Sequence, residues 1–255
     1  MTKYQKYVDF IKNTQLTLPP DKWYFKNNDN YTYMLEHVNS NQGNAYLDII
    51  KNKFSEIYKN NLDFLIEICY LNDKYGNTKK TNFKNFMTCS PSNLRYILHS
   101  LLILDHIKEQ KLNNVNIIEI GGGYGGLCFF VNKIGKLCNI NINSYTIFDL
   151  PQASALQNIY LNALNIENVN YYQLDKFNKL FKNSFLISNY AYSEIDISLQ
   201  KEYSNKIINP YTSFGFLAWN NMPVYDFVEN SVIEKETEYP LTGNRNNFYV
   251  KFYPK

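Results

Sequence analysis

Apolar residues recur at helical spacing through the first 110 positions and fall into short, nearly unbroken runs after them. Tyr46, Ile50, Phe54 and Ile57 lie three and four residues apart and predict one apolar helix face. Leu62, Leu65, Ile66 and Cys69 continue the pattern until Gly76 and the polar stretch 77–82 break it. Ser90-Pro91 predicts a helix start, because Ser90 can cap free N–H groups and proline tolerates the first helical position. The helix that follows, over about 91–109, carries Leu94, Ile97, Leu98, Leu101, Leu102 and Leu104 around much of its girth. A helix apolar on that many sides is expected to be sandwiched inside the protein.

From residue 115 the period changes. Runs at 115–120, 145–148, 169–172, 185–188 and 214–219 read as strands, and helix-like stretches at 126–134, 152–164 and 195–208 stand between them. Such alternation argues for a parallel α/β sheet. Phe248, Val250 and Phe252 alternate within 247–253 and predict a final strand. The expectation is a helical cap over 1–110 and an α/β domain over 111–255. The sheet is expected to have about seven strands, mostly parallel.

Composition narrows the function classes. Lys+Arg 26 against Asp+Glu 23 leaves +3, too little to predict nucleic-acid or anionic-membrane binding. Asn is the most over-used polar residue, at 38 of 255, and with Lys, Ile and Tyr it reads as the signature of an AT-rich genome and a solvated surface. Cys69, Cys89, Cys128 and Cys138 form no CxxC pair and have no histidine at ligand spacing, so reduced thiols in a cytoplasmic protein and no metal are expected. No apolar run reaches the ~18–20 residues of a spanning helix, and the N-terminus has no signal-like apolar core.

Glycine carries the sharpest signal. The chain holds 10, and five of them are Gly121, Gly122, Gly123, Gly125 and Gly126. They sit where the strand ending Glu119-Ile120 meets a helix, so the main chain can take positive φ and a ligand can approach the helix N-terminus. Two templates fit. Gly121-x-Gly123-x-x-Gly126 with Asp149 downstream matches the dinucleotide fingerprint. Glu119-x-Gly121-x-Gly123-x-Gly125 matches the first motif of S-adenosylmethionine-dependent methyltransferases. The acid before the glycines, the helical segment ahead of the first strand and the late final strand favour the second.

IIEIGGGYGG (117–126), with SPSNLRY (90–96) before it and FDLPQA (148–153) after it, resembles the sugar O-methyltransferase family. The resemblance spans roughly 88–220. It implies a Rossmann-like class I methyltransferase sheet, S-adenosylmethionine as cofactor, and transfer of a methyl group to a hydroxyl of a nucleotide-linked sugar for capsule or surface-glycan synthesis. Asp149, with Leu150 beside it, would meet the ribose. Gly121, Gly123 and Tyr124 would line the methionine part, Glu119 would help hold its ammonium group, and Arg95 its carboxylate. Asp175 would lie near the adenine, and Asn189 and Tyr190 at the fourth strand's end near the transferred methyl.

Removal of the acceptor proton calls for a positioned base. Glu194 is the first candidate, with His99 and Tyr192 as further catalytic candidates. Asn220, Asn221, Arg245 and Asn246 are placed to meet a polar acceptor, and 31–38 to form a lid. The partner expected is a small-molecule acceptor, with the aromatic-rich cap offering a dimer surface. Rival readings are a phosphate or phosphoramidate acceptor, a catalytically silent cofactor-binding module, and an NAD(P)-dependent oxidoreductase or epimerase. The last lacks a Tyr-x-x-x-Lys pair after the fourth strand.

Overall fold

A computed structural model describes residues 3–13, 15–35, 37–178, 180–220, 222–242 and 246–255. The chain forms two compact units, each built from separate stretches of sequence. The first comprises 1–102, 123–134 and 155–167; the second comprises 103–122, 135–154 and 168–255. The division expected near residue 110 follows the sequence, whereas these units interleave along it.

The N-terminal elements are α1 (Lys3–Asn13), α2 (Asp29–Leu35), α3 (Ser40–Lys53), α4 (Ser55–Asn60) and α5 (Leu62–Asp73). Asn39 and Gln42 cap α3 reciprocally, each side chain accepting from the other residue's backbone N–H. A short hairpin, β1 (Thr81–Asn82) with β2 (Thr88–Cys89), leads into α6 (Pro91–Glu109). Ser90 caps α6 as expected, its hydroxyl accepting from Ser92 N at 3.3 Å.

Within the first unit a lysine is buried. Lys26 is 3% exposed, and its Nζ donates to Asn72 O at 2.5 Å. The ammonium stands 4.4 Å from the Tyr124 ring centre and 5.0 Å from that of Tyr160, a cation–π cage. Asn72 and Asn93 continue the network to Asp73, which also accepts from Ser90 N. Burial raises the Asp73 pKa, and the nearby Lys26 charge opposes that rise.

The second unit holds a seven-stranded sheet in the order β5-β4-β3-β6-β7-β9-β8. Its strands are β3 (Asn114–Ile120), β4 (Asn141–Phe148), β5 (Val169–Tyr172), β6 (Ser184–Asn189), β7 (Thr212–Trp219), β8 (Ser231–Thr237) and β9 (Phe248–Pro254). All neighbours pair in parallel except β9, which runs antiparallel between β7 and β8. The expected mostly parallel α/β sheet is therefore present, with the final strand inserted antiparallel beside β7. Helices α7 (Gly126–Leu137) and α8 (Pro151–Ala163) follow β3 and β4.

After β6 come α9 (Ala191–Glu194), α10 (Ile197–Tyr203), a π-helical turn (Ser204–Ile208) and α11 (Asn209–Tyr211). The helix-like stretch expected over 195–208 is present from Ile197 and runs through the π-helical turn to Tyr211. Ile118, Ile120, Phe148, Leu186, Leu217 and Val250 pack on Tyr203, Ile207 and Ile208 as the core of one sheet face. Strand β8 has no apolar run in the sequence because it is an edge strand: Glu234, Lys235 and Glu236 are exposed along it.

Asparagine has a backbone role that composition concealed. Eight of the ten described non-glycine residues at positive φ are asparagines, among them Asn77, Asn139, Asn165, Asn168 and Asn183. Their short polar side chains tolerate the left-handed conformation, so in a glycine-poor chain they end helices and make turns. Reading them only as solvated surface is corrected accordingly.

Candidate active site

Sheet order sets the site's framework. Strands β4, β3 and β6 are neighbours, so Asp149, Gly121 and Asn189 follow their carboxyl ends side by side. Gly121 N donates to Phe148 O at 2.9 Å, and Ser188 Oγ donates to Ile120 O at 2.8 Å. Gly121 takes φ 76°, and a Cβ there would stand 2.1 Å from Ala191 Cβ. Only glycine fits, for a reason internal to the fold.

Asp149 is half-buried, and its Oδ1 accepts from Leu150 N at 2.8 Å, opening α8. Asp175 is exposed in the turn after β5. Glu119 is 1% exposed and accepts from Tyr145 Oη at 2.9 Å. Burial, reinforced by the Asp149 charge and opposed by the tyrosine hydrogen bond, pushes its pKa up to about 8. At neutral pH it is a neutral acid inside the sheet.

The end of β6 is the most unusual backbone in the unit. Tyr190 adopts φ 67°, ψ −33°, a strained region for a residue with a Cβ. It turns the chain from strand to α9, with Tyr190 N donating to Ala218 O at 2.7 Å. Its phenol, half-buried, donates to Glu238 Oε1 and lies 3.2 Å from Thr242 Oγ1. Glu238 is 1% exposed. Sequence reasoning missed it, because nothing local marks a glutamate at the end of a charged edge strand as buried.

Tyr192 is corrected more strongly. It is fully buried, shares a hydrogen bond with Ser204 Oγ at 2.8 Å and another with Tyr225 at 3.1 Å, and donates to Gln200 O at 3.2 Å. Burial drives its pKa far above the usual tyrosine value. Its oxygen is buried among Gln200, Ser204 and Tyr225.

Glu194 is exposed and accepts from Asn220 Nδ2 at 2.5 Å. That contact fixes the Asn220 amide. Its Oδ1 is left buried with no hydrogen-bond partner among the described residues, and so is Asn189 Oδ1. Two buried acceptors lacking donors are costly unless a ligand supplies N–H or O–H groups. Asn189 lies beside Gly121 at adjacent strand ends. Asn221 and Arg245 fall outside the described residues.

In the first unit, Gly123 is held from two sides. Gln157 Nε2 donates to Gly123 O at 2.9 Å, and Leu35 packs where a Gly123 side chain would start. Arg95, 5% exposed, donates to Leu35 O at 3.2 Å and lies over the Tyr96 ring. Tyr124 does not line a ligand face through its ring. It is 1% exposed in the Lys26 cage, and Asn72 Nδ2 donates to its hydroxyl. His99 is fully buried edge-on against Tyr46, so the expectation that it faces an acceptor is corrected. Residues 31–35 belong to α2, with Leu35 against the glycine turn. Among the described residues no three His, Cys, Asp or Glu side chains gather to hold a metal, and no helix is long and apolar enough to cross a membrane.

No family model and no curated protein matches the sequence. Among solved structures, the plantazolicin methyltransferase BpumL is similar at 12% identity and TM-score 0.44, over 63% of this chain and 85% of that one. The mitomycin 7-O-methyltransferase MmcR is similar at 8% identity and TM-score 0.43, over 65% and 56%. A geranyl diphosphate methyltransferase in complex with SAM is similar at 13% identity and TM-score 0.38, over 51% of each chain. The chain spans about half the length of the first structures it matches, 49–55% of each.

Proposed function

We propose that the protein is an S-adenosylmethionine-dependent methyltransferase acting on a hydroxyl of a small polar acceptor, with a nucleotide-linked sugar as the preferred class. The observation that carries this reading is a glycine turn at the end of β3 in a sheet with one antiparallel strand, β9, inserted between β7 and β8. The sugar acceptor rests on the resemblance in 88–220 alone.

The residues fit the cofactor. Asp149 would accept from the ribose hydroxyls, a charge-assisted pairing. Asn189 Oδ1, lacking a donor among the described residues, would accept from the methionine ammonium group. The turn beginning at Gly121 would allow close approach of the main chain. When bound, the cofactor supplies an electrophilic methyl group on a cationic sulfur, which leaves as a neutral thioether. The chain's task is then alignment and proton removal. Glu194, exposed at the β6 edge and oriented by Asn220, is the proposed proton acceptor for the attacking hydroxyl. Asn220 Oδ1 would accept from a second donor on the same substrate.

Calorimetric titration with S-adenosylhomocysteine, NAD⁺ and NADP⁺ tests the reading. Binding of the first alone is expected. Binding of a dinucleotide alone would replace the methyltransferase with the oxidoreductase reading. Asp149→Ala is expected to weaken S-adenosylhomocysteine by about 1–3 kcal/mol.

A further inference from the structure

Positions 121–126 read Gly-Gly-Gly-Tyr-Gly-Gly, so Tyr124 holds the one side chain in the turn. Glycine loses more freedom on ordering than any other residue, and a run of five keeps one shape only if something outside it fixes that shape. Tyr124 stands between Gly123 at φ 58° and Gly125 at φ 94°. Its ring is buried and folded back on its own turn, where a Cβ on Gly126 would meet it at 2.8 Å. The rings of Phe25, Tyr96 and Tyr160 pack on it at 5.4, 6.0 and 5.1 Å between centres.

Lys26 gives that ring its direction. An apolar chain of the same length would fill the cage without taking an ammonium group out of water, which is costly. The charge adds geometry instead. It draws the faces of Tyr124 and Tyr160 toward one point, and its N–H groups reach Asn72 O at 2.5 Å and Tyr160 Oη at 3.3 Å. Asn72 then ties both phenols: its Nδ2 donates to Tyr124 Oη at 3.3 Å, and its Oδ1 accepts from Tyr160 Oη at 2.5 Å. Gln157 on Gly123 O and Leu161 against Gly125 hold the turn from the side of α8.

We propose that Lys26 is a positioning residue for the glycine turn, holding Tyr124 so that 123–126 has its binding shape before a ligand arrives. The proposal rests on the methyltransferase reading for the identity of that ligand. A ligand that meets a loose glycine main chain must order it, and the lost freedom is subtracted from its affinity. Removing the Lys26 charge therefore weakens binding at the turn without removing a ligand contact. Lys26 is assigned no contact with the ligand and no step in the chemistry.

The test uses the full chain, labelled with nitrogen-15, and the variant Lys26→Met, which keeps the stem and loses the charge and its donors. In the free wild-type protein the amide order parameters of Gly123 and Gly125 are expected near 0.85, the value of about any rigid backbone. In the free variant they are expected to fall below about 0.6, with β3 and β6 unchanged, and saturating S-adenosylhomocysteine is expected to restore them. Calorimetry is expected to show S-adenosylhomocysteine bound about tenfold more weakly, through a less favourable entropy, the scale of ordering one or two residues. Tyr124→Phe, which loses the Asn72 tie and keeps the ring, is expected to loosen the turn less and carries the test alone if Lys26→Met does not fold. A turn as rigid in the variant as in the wild type would overturn the proposal, leaving Gln157 and Leu161 as its supports. Loosening that extends through β3 and β6 would make Lys26 a general core residue and overturn it too, as would a loss of affinity carried by enthalpy. A wild-type protein that binds no S-adenosylhomocysteine overturns the cofactor reading; the order parameters of the free proteins then still decide whether Lys26 fixes the turn.

Discussion

Replacing Tyr190 by alanine and by glycine separates backbone strain from side-chain contacts. Both variants lose the phenol and its hydrogen bond to Glu238, so their difference reports the backbone alone. At φ 67°, ψ −33° a residue with a Cβ is held about 1–2 kcal/mol above glycine. At an ordinary position the order is reversed, glycine being about 0.5–1 kcal/mol worse than alanine through chain entropy. Tyr190→Gly should therefore be more stable than Tyr190→Ala by about 1 kcal/mol, after the entropic term is subtracted from the upper end of the strain. Urea unfolding at neutral pH, followed by far-UV circular dichroism, measures the gap. Tyr190→Phe keeps the strain and takes one donor from the buried Glu238 carboxylate, a loss of about 1.5–3 kcal/mol. An alanine variant as stable as the glycine variant, or more stable, would refute a strained tyrosine at the end of β6.

Glu119 makes stability depend on pH. The unfolded chain releases this proton near 4.5 and the folded protein near 8, so between those values the folded state binds more protons and stability falls as pH rises. The contribution is up to about 4–5 kcal/mol; Glu119→Gln should remove it, and a wild-type-minus-variant difference that stays flat from pH 5 to 8 would contradict the buried acid. Tyr192→Phe should cost about 1–2 kcal/mol of stability and leave S-adenosylhomocysteine affinity unchanged; a tenfold loss of affinity would return that hydroxyl to the site. Gly121→Ala should cost at least ~3 kcal/mol through overpacking and strain together, because its Cβ would meet Ala191 at 2.1 Å. A thermal midpoint close to wild type would mean that the turn repacks.

The glycine turn and most strands were legible because each leaves a dense local mark. Gly121 to Gly126 stand out in a chain poor in glycine, and β3, β4, β6 and β7 are apolar runs because both of their faces are buried. Strand β8 was illegible for the opposite reason, its outward charges being what protects an edge. Side-chain destinations were harder. Tyr192 and Tyr190 are two residues apart on one apparent motif, yet one enters the core and the other turns toward the β8–β9 loop. Their separation is set by a single positive φ that no tyrosine propensity predicts. Glu238 meets Tyr190 from 48 positions away, and an unpaired acid in a charged strand carries no sign of that contact. Glu119 was placed correctly at the end of the first strand, but its protonation follows from packing around it rather than from its neighbours in sequence.

The cage around Lys26 has a consequence for how the chain can be made and divided. Two of its rings, Tyr124 and Tyr160, arrive from stretches of sequence well beyond α6. A nascent chain that has emerged only as far as α6 therefore holds the lysine without those walls. The first unit is completed only when 155–167 has left the ribosome, and by then β3 and β4 of the second unit have already been synthesised. The two units thus mature within the same window of synthesis. A gene cut after α6 would yield a helical fragment with an ammonium group in an open core, exposed to water, proteases and chaperones rather than sealed behind aromatic rings.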